Sequence, residues 1–256
     1  AGPVLAQQRE DDARRHIEIV FALAREFGVD ADFHVDFFDE PEHLHVREII
    51  RQTEGLGWQT RVAVGHLTEM SALPPAEQAV LTAELARAGI GVISLPLTDL
   101  YLMGRGDERN VRRGLAPIRR LPEAGVPVAL ASNNIRNPFT PIGTADPAHL
   151  AFVAAVAAHM GTPELMRELV GAVTTYAARI LNLRDYGCAA GCRADLVVWD
   201  CRAPEEIVTS LPARRLVLKA GRVSVEHERR VVEPWRSGNA QKDHTRIDTA
   251  GGRHVE

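Results

Sequence analysis

The residues best suited to chemistry in this sequence close short apolar runs. His34 and Asp36 alternate with Phe33 and Val35, so a strand over 32–37 turns both polar side chains to one face. His66 closes a second run, 61–65. A neutral imidazole offers a lone pair that can ligate a metal ion or take a proton, and a carboxylate can act as a general base. Histidines at the carboxyl ends of successive strands of a β/α repeat stand where barrel enzymes keep their reacting groups. Two unrelated strand-closing histidines are the alternative. A third polar cluster, Ser132-Asn133-Asn134, follows 126–131. Its amides either shape a turn or hydrogen-bond a polar heterocycle.

These groups need a scaffold. Residues 1–12 read as irregular. Over 13–27, Ile17, Val20, Phe21, Ala24 and Phe27 recur at helical spacing, with Gly28 as the stop. A helix over 46–54 follows the first strand and closes at Gly55-Leu56-Gly57. Another starts at Leu73-Pro74-Pro75 and runs to Arg87, with Gly89 ending it. The run 91–96 is a strand of the buried parallel kind, 99–113 a long loop, 114–123 a short helix and 126–131 a fourth strand. Strand and helix thus repeat four times, which predicts an α/β fold with a parallel sheet and right-handed crossovers. Asp146-Pro147 and Thr162-Pro163 open helices over 146–160 and 163–182, with Met160 and Met166 as core filler. After Gly187 the period shortens, and 194–200 and 215–223 predict a small appended antiparallel sheet with a tight turn. From Ser237 the chain is polar and Gly-rich, and disorder is expected.

Composition excludes several classes. The 256 residues make one large domain or a domain and a half, with 45% apolar and 25% charged residues, as in soluble globular proteins. A net charge of −4 with scattered arginines leaves no nucleic-acid footprint. The apolar runs are too short to span a bilayer. The opening Ala1-Gly2-Pro3-Val4 lacks the pattern of a signal peptide. Three cysteines, Cys188, Cys192 and Cys201, argue for a reducing, cytoplasmic setting, and the first two lack the further ligands a zinc site needs. His43 and His45 read as a solvated helix entrance rather than a metal pair. Arg105, Arg112 and Arg113 belong to a solvated loop, or hold an anion or close a lid. Trp58, Trp199 and Trp235 read as packing. No GxGxxG or phosphate-binding loop occurs, so nucleotide cofactors are not expected.

An ordered set of short motifs is more specific. His34-Val35-Asp36, Val64-Gly65-His66, Leu95-Pro96-Leu97, Leu102-Met103-Gly104-Arg105, Arg112-Arg113-Gly114 and the run Asn137-Pro138-Phe139-Thr140-Pro141-Ile142-Gly143 follow in that sequence. Leu181-Asn182-Leu183-Arg184-Asp185-Tyr186-Gly187 and Ala194-Asp195-Leu196 come behind them. Over 14–232 the chain resembles the cytosine deaminase-like branch of the amidohydrolase superfamily. The resemblance implies a (β/α)8 metal-dependent hydrolase, of which this chain carries strands five to eight. The expected organisation is a partial TIM-type barrel over 1–186, part of a small β-sandwich over 187–236 and a disordered tail over 237–256. It implies a divalent metal, zinc or iron, held by His34, His66 and Asn133. His66 and Asp36 would be catalytic, and Ser132, Asn134 and Phe139 would contact a small heterocyclic substrate. The reaction implied is hydrolysis of a non-peptide C–N bond of a cyclic amidine or amide, in a cytoplasmic homo-oligomer without nucleic-acid or membrane partners. Two positions depart from the family. Phe37 stands where the family has a proton-shuttling glutamate, and Asn133 where it has a metal-binding aspartate. A degenerate heterocycle-binding homologue, or an inactive fragment, is therefore the alternative.

Overall fold

Short runs of valine, isoleucine and small residues pair edge to edge as one parallel sheet. The computed structural model describes residues 10–41 and 44–227. Its strands β1 (Ala31–Val35), β2 (Val62–His66), β3 (Gly91–Ser94) and β4 (Val128–Leu130) lie in the order β1-β2-β3-β4. Helices α1 (Glu10–Phe27), α2 (Val46–Leu56) and α3 (Pro75–Ala88) alternate with the first three strands. This is the predicted strand–helix repeat, and all three strand pairings are parallel.

The register divides the sheet into two faces. Phe33, Val64, Val92 and Val128 form one row across it, buried in a core shared with Ile17, Phe21, Ile49, Leu81 and Leu85 of the helices. The Phe21 ring lies 5.5 Å from Phe33 and meets Trp58 edge-on at 6.1 Å. Each such ring stabilises the fold by about 1.5–3 kcal/mol through burial. The other face carries His34, Gly65, Ile93 and Ala129 in the adjacent row. Gly89 makes the sharp turn from α3 to β3: its φ is +61°, and a Cβ there would stand 3.2 Å from Thr60 N.

Several elements differ from expectation, each for a local reason. The first helix begins at Glu10, inside the segment read as irregular. The loop expected from residue 99 starts later, because Pro96 at a first-turn position opens α4 (Pro96–Leu102). The helix expected over 114–123 does not form. Gly114 is left-handed, Pro117 interrupts, and only a short 3₁₀ turn, Pro122–Ala124, appears. Asp146 accepts from Ala148 N–H and opens α5 (Pro147–Ala157); Thr162 accepts from Leu165 N–H and opens α6 (Pro163–Ala172). The helix expected over 163–182 breaks after α6 and resumes as α7 (Thr175–Ile180). There the Thr174 hydroxyl donates to Val170 O, and the Tyr176 ring lies where a side chain on Gly171 would be.

After α7 come β5 (Leu196–Trp199), a short α8 (Glu206–Ser210), β6 (Arg214–Lys219) and β7 (Arg222–Glu226). The three strands form the expected antiparallel sheet, with a tight turn at Ala220-Gly221 between β6 and β7. All three cysteines carry free thiols. No helix among the described residues is long and apolar enough to cross a membrane. His43, Trp235 and the tail over 237–256 lie outside the described residues.

Candidate functional site

Strand alternation puts His34 on the face of β1 away from the helices, where it is half-buried. Burial, and then the neighbouring His66, hold its pKa below the usual histidine range. His66 reaches it by a different route. Its register partner is Val35, a residue of the core-facing row, so alternation alone would turn His66 toward the helices. Instead His66 and Leu67 take left-handed backbone, with φ of +74° and +53°. Side chains rarely adopt that conformation, and such corners cluster at functional sites. It takes the ring out of the alternation, and His66 Nε2 comes 3.0 Å from His34 Nδ1.

The third group was not foreseen. Asp99 sits in the first turn of α4, fully buried, and its Oδ1 lies 2.7 Å from His66 Nδ1. Its Oδ2 accepts from Leu95 N–H at 3.3 Å. Burial raises its carboxyl pKa, with the hydrogen bond from His66 acting in the opposite sense. Beyond β4, Asn133 Nδ2 stands 3.4 Å from His66 Nε2. Each of the four strands therefore delivers one polar group near its carboxyl end: His34, His66, Asp99 and Asn133. Phe37 packs against this cluster, its ring centroid 4.3 Å from that of His66. Asp99 was hidden in the sequence because α4 was read as loop. A Pro at a helix first turn, three residues before an aspartate, was the available signal.

Asp36 departs from the expected catalytic place. At φ +51° the chain has already left β1, so Asp36 does not continue the alternation with His34. Its carboxylate, almost wholly buried, accepts from His45 N–H at 2.9 Å and Val46 N–H at 3.1 Å. It satisfies free backbone donors at the start of α2. Both oxygens are thus engaged by the start of α2, and Asp36 does not share the face of His34.

The segment after β4 folds on itself. Ser132 Oγ donates to Asn134 O, Asn137 donates to the Asn134 side-chain oxygen, and Asn137 Oδ1 accepts from Phe139 N–H and Thr140 N–H. Buried Thr140 bonds Thr98, the residue before Asp99. Of the residues expected here, Asn133 alone reaches the histidines. Ser132 and Asn134 serve the turn, and Phe139 is 65% exposed with its ring in solvent. A cavity of about 370 Å³ lies beyond the ends of β1 and β2, lined by Phe38, Asp39, Thr68, Ser71, Arg112 and Arg113 and by none of His34, His66, Asp99 and Asn133. Arg112 is an exposed loop residue that also binds Asp107, Glu40 and the Asp39 carbonyl, strapping 104–112 to the end of β1. Arg105 lies over the Tyr101 ring. Among the described residues, no group of three or more His, Cys, Asp or Glu side chains is arranged to hold a metal ion.

Comparison with known proteins places this geometry in a family. The model of a family described as "Amidohydrolase family" matches residues 3–225. A pterin deaminase of Rhizobium rhizogenes is 32% identical over 84% of this chain and 49% of its own length. An N-isopropylammelide isopropyl amidohydrolase of a Pseudomonas species is 24% identical over 89% of this chain and 53% of its own. The crystal structure of a 5-methylcytosine deaminase of Klebsiella pneumoniae, liganded with phosphonocytosine, superposes with a TM-score of 0.85 at 26% identity. It covers 89% of this chain and 56% of that one. The chain thus spans about half the length of the curated relatives it matches.

Proposed function

The chain belongs to the amidohydrolase family, and on that premise we propose that it carries half of the site of a hydrolase cleaving a non-peptide C–N bond of a small heterocycle, a cyclic amidine or amide. The observation that supports this most is the convergence of His34, His66 and Asn133 at the carboxyl ends of β1, β2 and β4. That is the end at which such folds gather their chemistry. The relatives named above, by their names, act on a pterin, an N-alkylated triazine and a methylated cytosine.

In this reading the four-stranded sheet is half of a (β/α)8 barrel within 1–186, and 187–236 is part of a small β-sandwich. Three surfaces support it. Among the described residues, strands β1 and β4 each present an unpaired edge. On α1, Ile19, Leu23 and Phe27 repeat at i, i+4, i+8 and are exposed. Val197, Val198, Val223 and Val225 of the small sheet are exposed as well. Another polypeptide, a second copy included, would cover them, and free thiols suit a reducing cytoplasm.

The donor set falls short of a complete metal centre. A catalytic zinc takes three protein ligands. Here His34 supplies one imidazole, His66 Nε2 is engaged by its neighbours, and Asn133 supplies only a neutral amide. Further ligands for zinc or iron must come from outside these residues, so no step is assigned to a metal. The chain's own groups have definite tasks. Asp99 orients His66, whose Nε2 takes the proton of an attacking water once that water replaces His34 or Asn133 as its hydrogen-bond donor. Asn133 faces His66 and Phe37 packs on one side of it; Ser132, Asn134 and Phe139 would reach a bound ring only if the turn after β4 rearranged.

The test is elemental analysis of the purified chain and of His34→Ala after dialysis against Zn²⁺ or Fe²⁺, with ammonia release from pterin, cytosine and an aminotriazine. Metal retained by the parent but not by the variant, with ammonia released, is the expected result where a second copy of the chain supplies the missing ligands. Neither metal nor ligand binding by the folded chain would overturn the reading. Phe37 and Asn133, in place of carboxylates, favour a second reading, a heterocycle-binding homologue. It requires ligand binding without turnover.

A further inference from the structure

Hydrogen-bond polarity propagates through this site. As a carboxylate, Asp99 can only accept, so His66 must carry its proton on Nδ1, 2.7 Å away. Neutral His66 then has a lone pair on Nε2. Two groups point at that nitrogen. The side-chain NH₂ of Asn133, placed 3.4 Å away, can only donate, and in that orientation it too meets an acceptor there. His34 Nδ1, 3.0 Å away, must therefore be the N–H of its ring. The lone pair of His34 falls on Nε2, and among the described residues nothing hydrogen-bonds to that atom.

We propose that Asp99 is a positioning residue that fixes the tautomers of both histidines, so that His34, which it does not touch, presents a bare Nε2 to the bound ligand. This deepens the function proposed above and rests on it for its use, though not for its geometry. The ligand that would meet Nε2 is a divalent cation or the N–H of a heterocycle. Asn133 acquires a reason within the same scheme. A carboxylate at that position would demand a donor from His66 Nε2 and reverse the chain. The neutral amide and the Asp99–His66 bond are a matched pair.

Asp99→Asn is the informative change, because both Asp99 oxygens are acceptors. Oδ2 takes the Leu95 N–H and Oδ1 faces His66. An amide has one oxygen. If that oxygen keeps Leu95, its NH₂ turns to His66 Nδ1, which must then accept. His66 becomes the Nε2–H tautomer and donates to His34 Nδ1, and His34 in turn becomes Nε2–H. One buried substitution thus blocks a nitrogen two rings away.

The experiment is two-bond ¹H–¹⁵N correlation of the imidazoles in the ¹⁵N-labelled full chain, without metal or substrate, assigned with His34→Gln and His66→Gln. Expected for the parent are Nδ1–H signatures for both rings, and Nε2–H signatures for both in Asp99→Asn. A parent spectrum with His66 protonated on Nε2 overturns the proposal outright, even if the variant fails to fold. So does a folded Asp99→Ala chain whose tautomers match the parent. Because no turnover is involved, loss of hydrolase activity with the expected tautomers would count against the proposed function alone.

Discussion

Asp36, at the end of β1, and Asp99, beyond the end of β3, are 2% and 0% exposed. In both, burial raises the carboxyl pKa. Their partners differ. Asp36 accepts two backbone N–H groups at the start of the helix that follows its own strand, and the imidazole of His45 from that same segment lies 3.5 Å from its Oδ1. Asp99 accepts one backbone N–H and the imidazole delivered by the neighbouring strand. Depth and charge are nearly the same, so neither decides the role. What decides it is where the chain turns. Left-handed Asp36 points back into its own crossover, whereas the first turn of α4 carries Asp99 over the end of β2. A buried carboxylate near a strand end serves the fold when its partners are local, and the site when they come from another strand.

The comparison breaks first at Asp36→Ala. Two buried backbone donors lose their acceptor, and each unsatisfied group costs about 1–3 kcal/mol. A loss of about 3 kcal/mol in urea denaturation is expected, with both imidazole tautomers unchanged. A small stability change with altered tautomers would reverse the two roles. Asp99→Ala is expected to cost less, about 1–2 kcal/mol, because one of its two acceptor contacts is long. Its main effect is on the rings: His66 should show a mixture of tautomers. An unmixed His66 spectrum would mean that something other than Asp99 orients the ring.

Most of the scaffold can be read from the sequence, because hydrophobic period and glycine stops are local signals. The β1–β4 repeat, the Asp146 and Thr162 caps and the turn at Gly89 follow from neighbouring residues alone. So do His34 and His66, as strand-closing histidines. Asp99 was not legible, since its partner is 33 residues away and α4 was hidden behind the proline that ended the preceding apolar run. The left-handed corner at His66 was equally invisible: no glycine or asparagine marks it, and tertiary contacts hold it. Asp36 misled for the converse reason, because strict alternation continues in the letters after the strand itself has ended.

Phe37→Leu sharpens the account of what orients His66. The Phe37 ring packs on the imidazole at 4.3 Å, tilted by 49°. If hydrogen bonds set the orientation, a leucine should keep both tautomers. It should cost less than about 1.5 kcal/mol, as apolar exchanges of similar size do. The His66 ring protons should move downfield in ¹H spectra as the aromatic ring current is lost. A change of tautomer in this variant would assign the orientation to ring packing and remove Asp99 from its place.

The smallest expected effect asks whether the two strand ends act on each other. Asp39, beyond β1, accepts from Gly104 N–H, beyond β3, and Arg112 spans from Asp107 to Glu40 and the Asp39 carbonyl. The strap is solvent-exposed, and surface ion pairs contribute little to global stability. Its loss should register locally. Hydrogen bonds from Arg112 hold the Asp107 carboxyl down, to about 2 from 3.8. A depressed carboxyl pKa contributes above its unfolded value and is lost as pH falls through the folded one. The strap should therefore hold above about pH 4 and release toward about pH 2, over the window those two values bracket. Hydrogen exchange at Gly104 and Arg112 N–H should accelerate in Arg112→Ala at neutral pH, and lose its difference from the parent at the acid end. If the imidazole tautomers stay as in the parent throughout, the ends of β1 and β3 are tied mechanically but work independently. If they shift with the strap, the Asp36 end reaches Asp99 through the loop, and the two aspartates belong to one device.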